Sequence, residues 1–276
     1  MAITAADVNK LRQQTGAGMM DCKNALVESN GDFETAIDIL RKKGQKIAAK
    51  RGENEAKEGL IIAQVSTDGT YGVVVTLNCE TDFVAKNDGY RTFVQAIVDL
   101  ALEHRPTSTE ALKALSFDGK ISVEEKITEQ IGVIGEKLDL SAYETISADK
   151  VVAYNHPGNQ LATLVGLNSG SETAEDAGKQ VAMQIAAMNP IALDKNGVDA
   201  RTIEREIEVG KELAIQEGKP ADMAEKIAQG RLNKFFQENT LLSQAFVRDN
   251  KLTVEQFLTS SEKGLTVLDF KRLSLS

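Results

Sequence analysis

LIIAQVSTDGTYGVVVTLNCETDFVAKN, residues 60–87, contains two β-rich runs, Leu60 to Val65 and Gly72 to Leu77, joined by the turn Thr67-Asp68-Gly69-Thr70. β-branched runs on either side of a Gly-containing turn predict an antiparallel hairpin. The second run delivers Cys79, Glu80, Thr81, Asp82, Phe83, Val84, Ala85, Lys86 and Asn87 onto a loop. Loops positioned by a sheet are where binding groups concentrate, and an aromatic flanked by acids suits insertion into a partner. The competing reading has Phe83 and Val84 begin the next helix and face the core. A helix is expected from Tyr90 to Leu102, ending before Pro106.

The same order occurs a second time. Val151 to Tyr154 and Leu161 to Leu167 flank the turn Asn155 to Gln160, and a helix from Ala174 to Met188 stops before Pro190. Hairpin then helix, used twice, predicts an α+β chain whose core is two similar subdomains, each with a helix packed on an antiparallel sheet. Between the units, Val123, Ile127, Ile131, Ile134 and Leu138 recur at spacings of three and four, which predicts one more amphipathic helix. Residues 199–238 are strongly helical, broken at Gly218-Lys219-Pro220, and read as an antiparallel αα-hairpin. Its expected seam is Ile203, Ile207 and Leu213 against Met223, Ile227, Leu232 and Phe235. So thin a hairpin needs the main body or a second copy of the chain to cover it. Leu265 to Leu275 alternates and reads as a closing strand, which makes the hairpin an insertion.

Three short helices are expected in the first fifty residues. Thr4 and Asp7 form a capping box, Val8 and Leu11 face inward, and Thr15-Gly16-Ala17-Gly18 stops the first helix. Met19, Met20, Cys22, Ala25 and Leu26 open the second, and Asp32 caps a third whose apolar face is Phe33, Ala36, Ile37 and Leu40. Adjacent methionines cannot both be fully buried by one helix face, and thioethers adapt well to partner surfaces; the competing reading makes one of the two a core residue. The expected divisions are a helical bundle at 1–54, a first subdomain at 55–145, a second at 146–192 with 239–276, and the hairpin at 193–238.

With 276 residues the chain can hold several modest cores. No apolar run reaches the roughly 20 residues needed to cross a bilayer. Met1 to Asp7 lacks the layout of a secretory or transit leader, so a cytoplasmic protein is expected, with Cys22 and Cys79 as reduced thiols. A net charge of -9 disfavours a nucleic-acid partner and points to protein. The basic stretch Arg41, Lys42, Lys43, Lys46, Lys50 and Arg51 reads as a solvated helix end. Enzyme chemistry is hard to find. Gly132 to Lys137 lacks the glycine spacing, the Ser or Thr and the preceding strand of a phosphate loop. His104 and His156 have no ligand-spaced companions. Cys79 beside Glu80 and Asp82 is a poor thiolate, because neighbouring anions raise a thiol's pKa. No catalytic residue, cofactor or metal is expected.

Two long signatures carry a resemblance. Leu11-Arg12 with Thr15-Gly16-Ala17-Gly18-Met19-Met20-Asp21-Cys22-Lys23, and Asn78-Cys79-Glu80-Thr81-Asp82-Phe83-Val84-Ala85, are similar to those of the bacterial elongation factor Ts family, over nearly the whole chain. The resemblance implies a guanine-nucleotide exchange factor for elongation factor Tu, with a ubiquitin-associated-like N-terminal bundle and a dimerising hairpin. It places Asp82 and Phe83 near the partner's magnesium and phosphate site, with Thr81 and Val84 among the partner-binding residues. It places Arg12, Met19 and Met20 on a helix of the nucleotide domain. His156 matches a contacting histidine, although Pro157-Gly158-Asn159-Gln160 departs from the family's glycine-basic pattern. Some relatives carry a further C-terminal helical module, expected to be missing after Leu273. The rival expectations are a binding adaptor without exchange activity and a thiol enzyme centred on Cys79.

Overall fold

Helices α1 (Ala5–Thr15), α2 (Met19–Glu28) and α3 (Phe33–Arg51) open the computed structural model, which describes residues 3–275 and, at 221 and 222, the backbone only. Met1 and Ala2, where the leader reading begins, and Ser276, the end of the expected second subdomain, lie outside the described residues. Thr4 and Asp7 close a reciprocal capping box on α1, and Gly16 ends that helix in the left-handed region at φ 70°. The Asp32 carboxylate caps α3 by accepting from the Thr35 amide at 2.8 Å. Leu11, Cys22, Leu26 and Ala36 form the small core these helices share.

Next come β1 (Glu58–Val65), β2 (Tyr71–Cys79), α4 (Asp82–Ala85), α5 (Asp88–His104), α6 (Thr109–Ala114), α7 (Val123–Ile134) and β3 (Asp139–Ser147). The strands form one antiparallel sheet in the order β1-β2-β3. Alternate residues of the hairpin serve two cores. Leu60, Ile62, Val73, Val75 and Leu77 pack with Val94 and Ile97 of α5. Ile61, Ala63 and Val74, with Ile146 of β3, pack on Val151, Ala162 and Leu164 of a second sheet. With both faces covered, all nine residues of β2 are buried, which is why its sequence runs apolar without alternation.

The second unit comprises β4 (Lys150–Asn155), β5 (Leu161–Leu167), α8 (Glu172–Met188), α9 (Ala200–Gln216), α10 (Ala221–Asn239), β6 (Ala245–Phe246), β7 (Asp249–Thr253), α11 (Val254–Ser261) and β8 (Val267–Ser274). Its sheet runs β4-β5-β8, so the tail does supply the closing strand. α8 and α11 cover its outer face through Val181, Ile185, Val254 and Leu258.

Three features depart from the sequence reading. α7 ends at Gly135, in the left-handed region at φ 82°, so Leu138 belongs to the approach to β3 rather than to the helix. β3, β6, β7, α6 and α11 have no counterpart among the elements expected from the sequence. In the αα-hairpin the close seam is Gly210 and Ala214 against Ala224, Ala228 and Leu232, all buried, while Leu213 and Met223 remain exposed. A Cβ on Gly210 would stand 3.2 Å from Ala228 Cα, so small residues let the two backbones approach.

The basic stretch is more than a solvated helix end. Arg41 Nε donates to Glu129 Oε1 of α7 at 2.7 Å, and Lys43 pairs with Asp21. Between these charges α3 crosses α7 at two glycines: a Cβ on Gly132 would lie 2.6 Å from Gly44 Cα, and one on Gly44 would lie 3.2 Å from the Thr128 carbonyl oxygen. The bundle is thereby docked on the first sheet unit through backbone contact. Gly132→Val forces this crossing apart and is expected to lower the unfolding free energy by about 1–3 kcal/mol. It should also speed proteolysis between Gly52 and Lys57. Denaturant unfolding and timed digestion check this, and wild-type values in both would contradict the close crossing.

Candidate functional site

At the end of β2 the chain is gripped from two sides. Cys79 Sγ donates to the Thr81 carbonyl oxygen at 3.2 Å. The Thr81 amide and Oγ1 donate to the two oxygens of Glu136, at 3.0 and 2.6 Å. The Glu80 carboxylate accepts from Arg51 Nη1 at 2.9 and 2.8 Å, from Asn54 Nδ2 at 3.1 Å and from the Lys137 amide at 2.6 Å. Burial raises the pKa of Glu80, but the Lys137 amide, Arg51 and Asn54 outweigh it and hold the carboxyl below its usual range. Lys137 Nζ in turn donates to the carbonyls of Gly52 and Asn54, at 2.8 and 2.9 Å.

From this anchored stem the chain makes the single helical turn α4. Ala85 is buried and Val84 packs half-buried on the core beneath α5. Phe83 points the other way and is 83% exposed. The competing reading of this pair therefore holds for Val84 and fails for Phe83. Asp82 is paired with Lys86 at 2.6 Å; that hydrogen bond, then the lysine's charge, lowers its carboxyl pKa. Asn87 Oδ1 caps α5 by accepting from the Gly89 and Tyr90 amides, and Tyr90 donates its hydroxyl to the Leu77 carbonyl at 2.7 Å.

Two further patches hold the remaining expected residues. Met19 and Met20, at the start of α2, are 56% and 63% exposed, so neither serves as core, and Arg12 on α1 is exposed as well. The turn beneath them is fixed by Thr15 Oγ1 donating to the Leu11 carbonyl at 2.8 Å and by Cys22 Sγ donating to that of Ala17 at 3.6 Å. His156 is exposed, with Nδ1 2.9 Å from the Tyr154 hydroxyl. Its turn covers the free edge of β1. Asn155 accepts from the Ala63 amide at 2.8 Å and donates to its carbonyl at 2.9 Å, while the Ile61 amide donates to the Asn159 carbonyl at 2.7 Å. Arg91, in the first turn of α5, donates to Asn159 Oδ1 at 2.9 Å, which ties the His156 turn to the helix that follows Phe83.

Among the described residues no group of three or more metal-ligating side chains is close enough to hold an ion, and no helix is long and apolar enough to cross a membrane. A cavity of about 210 Å³ between the bundle and α7 has a rim of largely paired charges, Arg41 and Lys126 with Glu129 and Lys43 with Asp21. Cys79 is buried, and its thiol is pushed up to about 11, first by desolvation and then by the charges of Glu136 and Glu58. The charges that act on it are thus distant in sequence, and not those of the adjacent Glu80 and Asp82 expected from the sequence. Sequence reasoning also missed Arg51, Glu136 and Lys137 as parts of this site. The only local hint was a Glu-Lys pair directly after the helix-stopping Gly135.

The family model described as Elongation factor TS matches residues 80–276. The chain is similar to the Elongation factor Ts of Amoebophilus asiaticus, 57% identical over 274 residues that cover 99% of each protein. It is 52% identical to that of Christiangramia forsetii, over 99% of this chain and 98% of the relative. The protein of the same description from Porphyromonas gingivalis is 48% identical over 276 residues, 100% of this chain and 99% of the relative.

The buried thiol sets a test. Its pKa in the fold lies above the ordinary value of 9.0, so its contribution to stability is full below about pH 9 and is lost as the pH rises towards about 11. Unfolding free energies measured from pH 8 to 11 should therefore fall more steeply for the native chain than for Cys79→Ala. Parallel curves would place the thiol in water.

Proposed function

The chain belongs to the elongation factor Ts family of translation elongation factors, and from that premise we propose that it is a guanine-nucleotide exchange factor. It binds elongation factor Tu and promotes GDP release by disturbing the magnesium and phosphate site, without making or breaking a covalent bond. The observation that carries this reading is Phe83, an aromatic ring 83% exposed on a turn whose stem is held by the Thr81 amide on Glu136 and by the Glu80 carboxylate on the Lys137 amide.

A G protein holds its nucleotide through backbone amides and a Mg²⁺ that also takes phosphate oxygens, so displacing either loosens the whole ligand. Phe83 acts as a wedge at that site, with Asp82 beside it. Thr81 and Val84 complete the partner-binding turn on either side of this pair, one also bonded to Glu136 and the other half-buried on the core. Arg12, Met19 and Met20 dock on a helix of the nucleotide domain, and His156 supplies a third contact. Linkage requires bound nucleotide to weaken the factor's grip by the same ratio as the factor weakens nucleotide. A hundredfold loosening takes about 2.7 kcal/mol, within the range of one well-buried aromatic anchor. The divisions at 1–54, 55–145, 146–192 with 239–276, and 193–238 serve this function as docking bundle, wedge-bearing core and inserted hairpin. The cytoplasm is its compartment, and nucleic acid is not its partner.

The hairpin has a role of its own in this reading. Val209, Leu213 and Met223 stay exposed on it, so a second copy of the chain is its partner in a homodimer. Replacing Leu213 by Lys is expected to weaken self-association by roughly tenfold or more, as read by sedimentation equilibrium. A native chain that stays monomeric at high concentration would remove the dimer.

Release of fluorescent GDP from purified elongation factor Tu tests the main reading. The chain should accelerate it, and Phe83→Ala should slow the accelerated rate by about tenfold or more, with the circular dichroism unchanged. Binding without acceleration would favour the adaptor. Loss of activity in Cys79→Ser would favour the thiol enzyme, whereas exchange tolerates that change.

A further inference from the structure

A ring that is 83% exposed does nothing to hold its own turn, and the helical turn beneath it spans only Asp82–Ala85, too short to be stable by itself. Whatever aims Phe83 must come from neighbouring segments. Glu136 and Lys137, adjacent in sequence, grip Thr81 and Glu80 respectively. Of the two carboxylates involved, Glu80 reaches further: its side chain is only 16% exposed, and its donors come from the last residue of α3, from Asn54 and from the approach to β3. Because α3 is also the helix that crosses α7 at Gly44 and Gly132, the bond from Arg51 to Glu80 joins the bundle's frame to the stem of the Phe83 turn.

We propose that Glu80 is the positioning residue of the Phe83 wedge. Without touching the partner, its carboxylate sets the direction in which the ring is presented and fixes that direction relative to the bundle bearing Met19 and Met20. The role needs the charge. A neutral amide at this place could accept some of the same bonds, but bonds to an ionised acceptor are roughly twice as strong. Two docking patches fixed on one frame also present the second contact at high effective concentration once the first has formed. Freeing the stem removes that advantage while leaving both patches intact.

The kinetic arm of the test rests on the exchange reading above, so a second arm is independent of it. The chain contains no tryptophan, and Phe83→Trp therefore gives a single indole whose fluorescence anisotropy reports the motion of this side chain in the free protein. Glu80→Gln in that background is expected to lower the anisotropy. In the Phe83 background, Glu80→Gln should slow GDP release at saturating factor by about tenfold, equivalent to about 1.4 kcal/mol. Added to Phe83→Ala, it should change the rate no further, since Glu80 acts through the ring. Arg51→Met should reproduce both effects and Arg51→Lys restore most of them; if Glu80→Gln does not fold, this pair decides the question by the same criteria. Unchanged anisotropy, or a rate loss that adds in full to that of Phe83→Ala, would overturn the proposal. If the indole loosens but the native chain fails to accelerate release, the exchange reading falls and the positioning role stands.

Discussion

An aromatic side chain kept in water has to be held there by bonds made elsewhere, because hydrophobic burial would draw it inward. In this protein the holding is done by charge-assisted hydrogen bonds on Glu80 and Glu136, which fasten the stem of the Phe83 turn to α3 and to the start of β3. Such bonds are directional and strong where solvent is scarce. They give a short turn the fixed geometry that its own length cannot supply.

The rest of the fold makes that fastening rigid. β2 ends at the stem and is buried on both faces, by α5 on one side and by the second sheet on the other, so its end does not fray. α3 reaches the stem as a continuous helix because it meets α7 through glycines rather than through side chains. The asparagines of the β4–β5 turn pair with the exposed edge of β1, which blunts that edge, and Asn159 ties the turn bearing His156 to Arg91 of α5. Local opening has to break several of these contacts together, so the turn belongs to the stable part of the molecule although the Phe83 ring faces solvent.

How far the sequence reveals this varies from element to element. The hairpin at residues 60–77 and the helices following each hairpin were legible because β-branched runs, Gly turns and prolines mark them locally. β3 was not: its buried residues are Leu140, Tyr143 and Ile146, a spacing of three that resembles a helix rather than a strand. The pairing register shows why. Ser141 bulges opposite Thr76 and Leu77, so the period of two is broken, and Ile146 then turns to the other core. In the αα-hairpin only Leu232 of the expected large apolar residues is buried in the seam, and the rest of the close contact is made by glycine and alanines, which carry no strong hydrophobic signal. Phe83 and the adjacent methionines Met19 and Met20 are legible from residue chemistry alone, as an aromatic on a sheet-positioned loop and two thioethers that one helix face cannot both bury, and all three are exposed in the fold. Arg51, Glu136 and Lys137 were invisible because their partners are distant in sequence, and no periodicity encodes an ion pair between separate elements.

The central claim is that the turn bearing Phe83 is built before any partner arrives. Amide hydrogen exchange of the free protein tests it directly at Thr81, Ala85, Lys86 and Asn87, whose amides donate to Glu136, Thr81, Asp82 and Val84. The account predicts slow exchange at these four positions in the free chain, comparable with the neighbouring amides of β2. Exchange at the rate of an unstructured peptide, slowing only when elongation factor Tu is added, would contradict it.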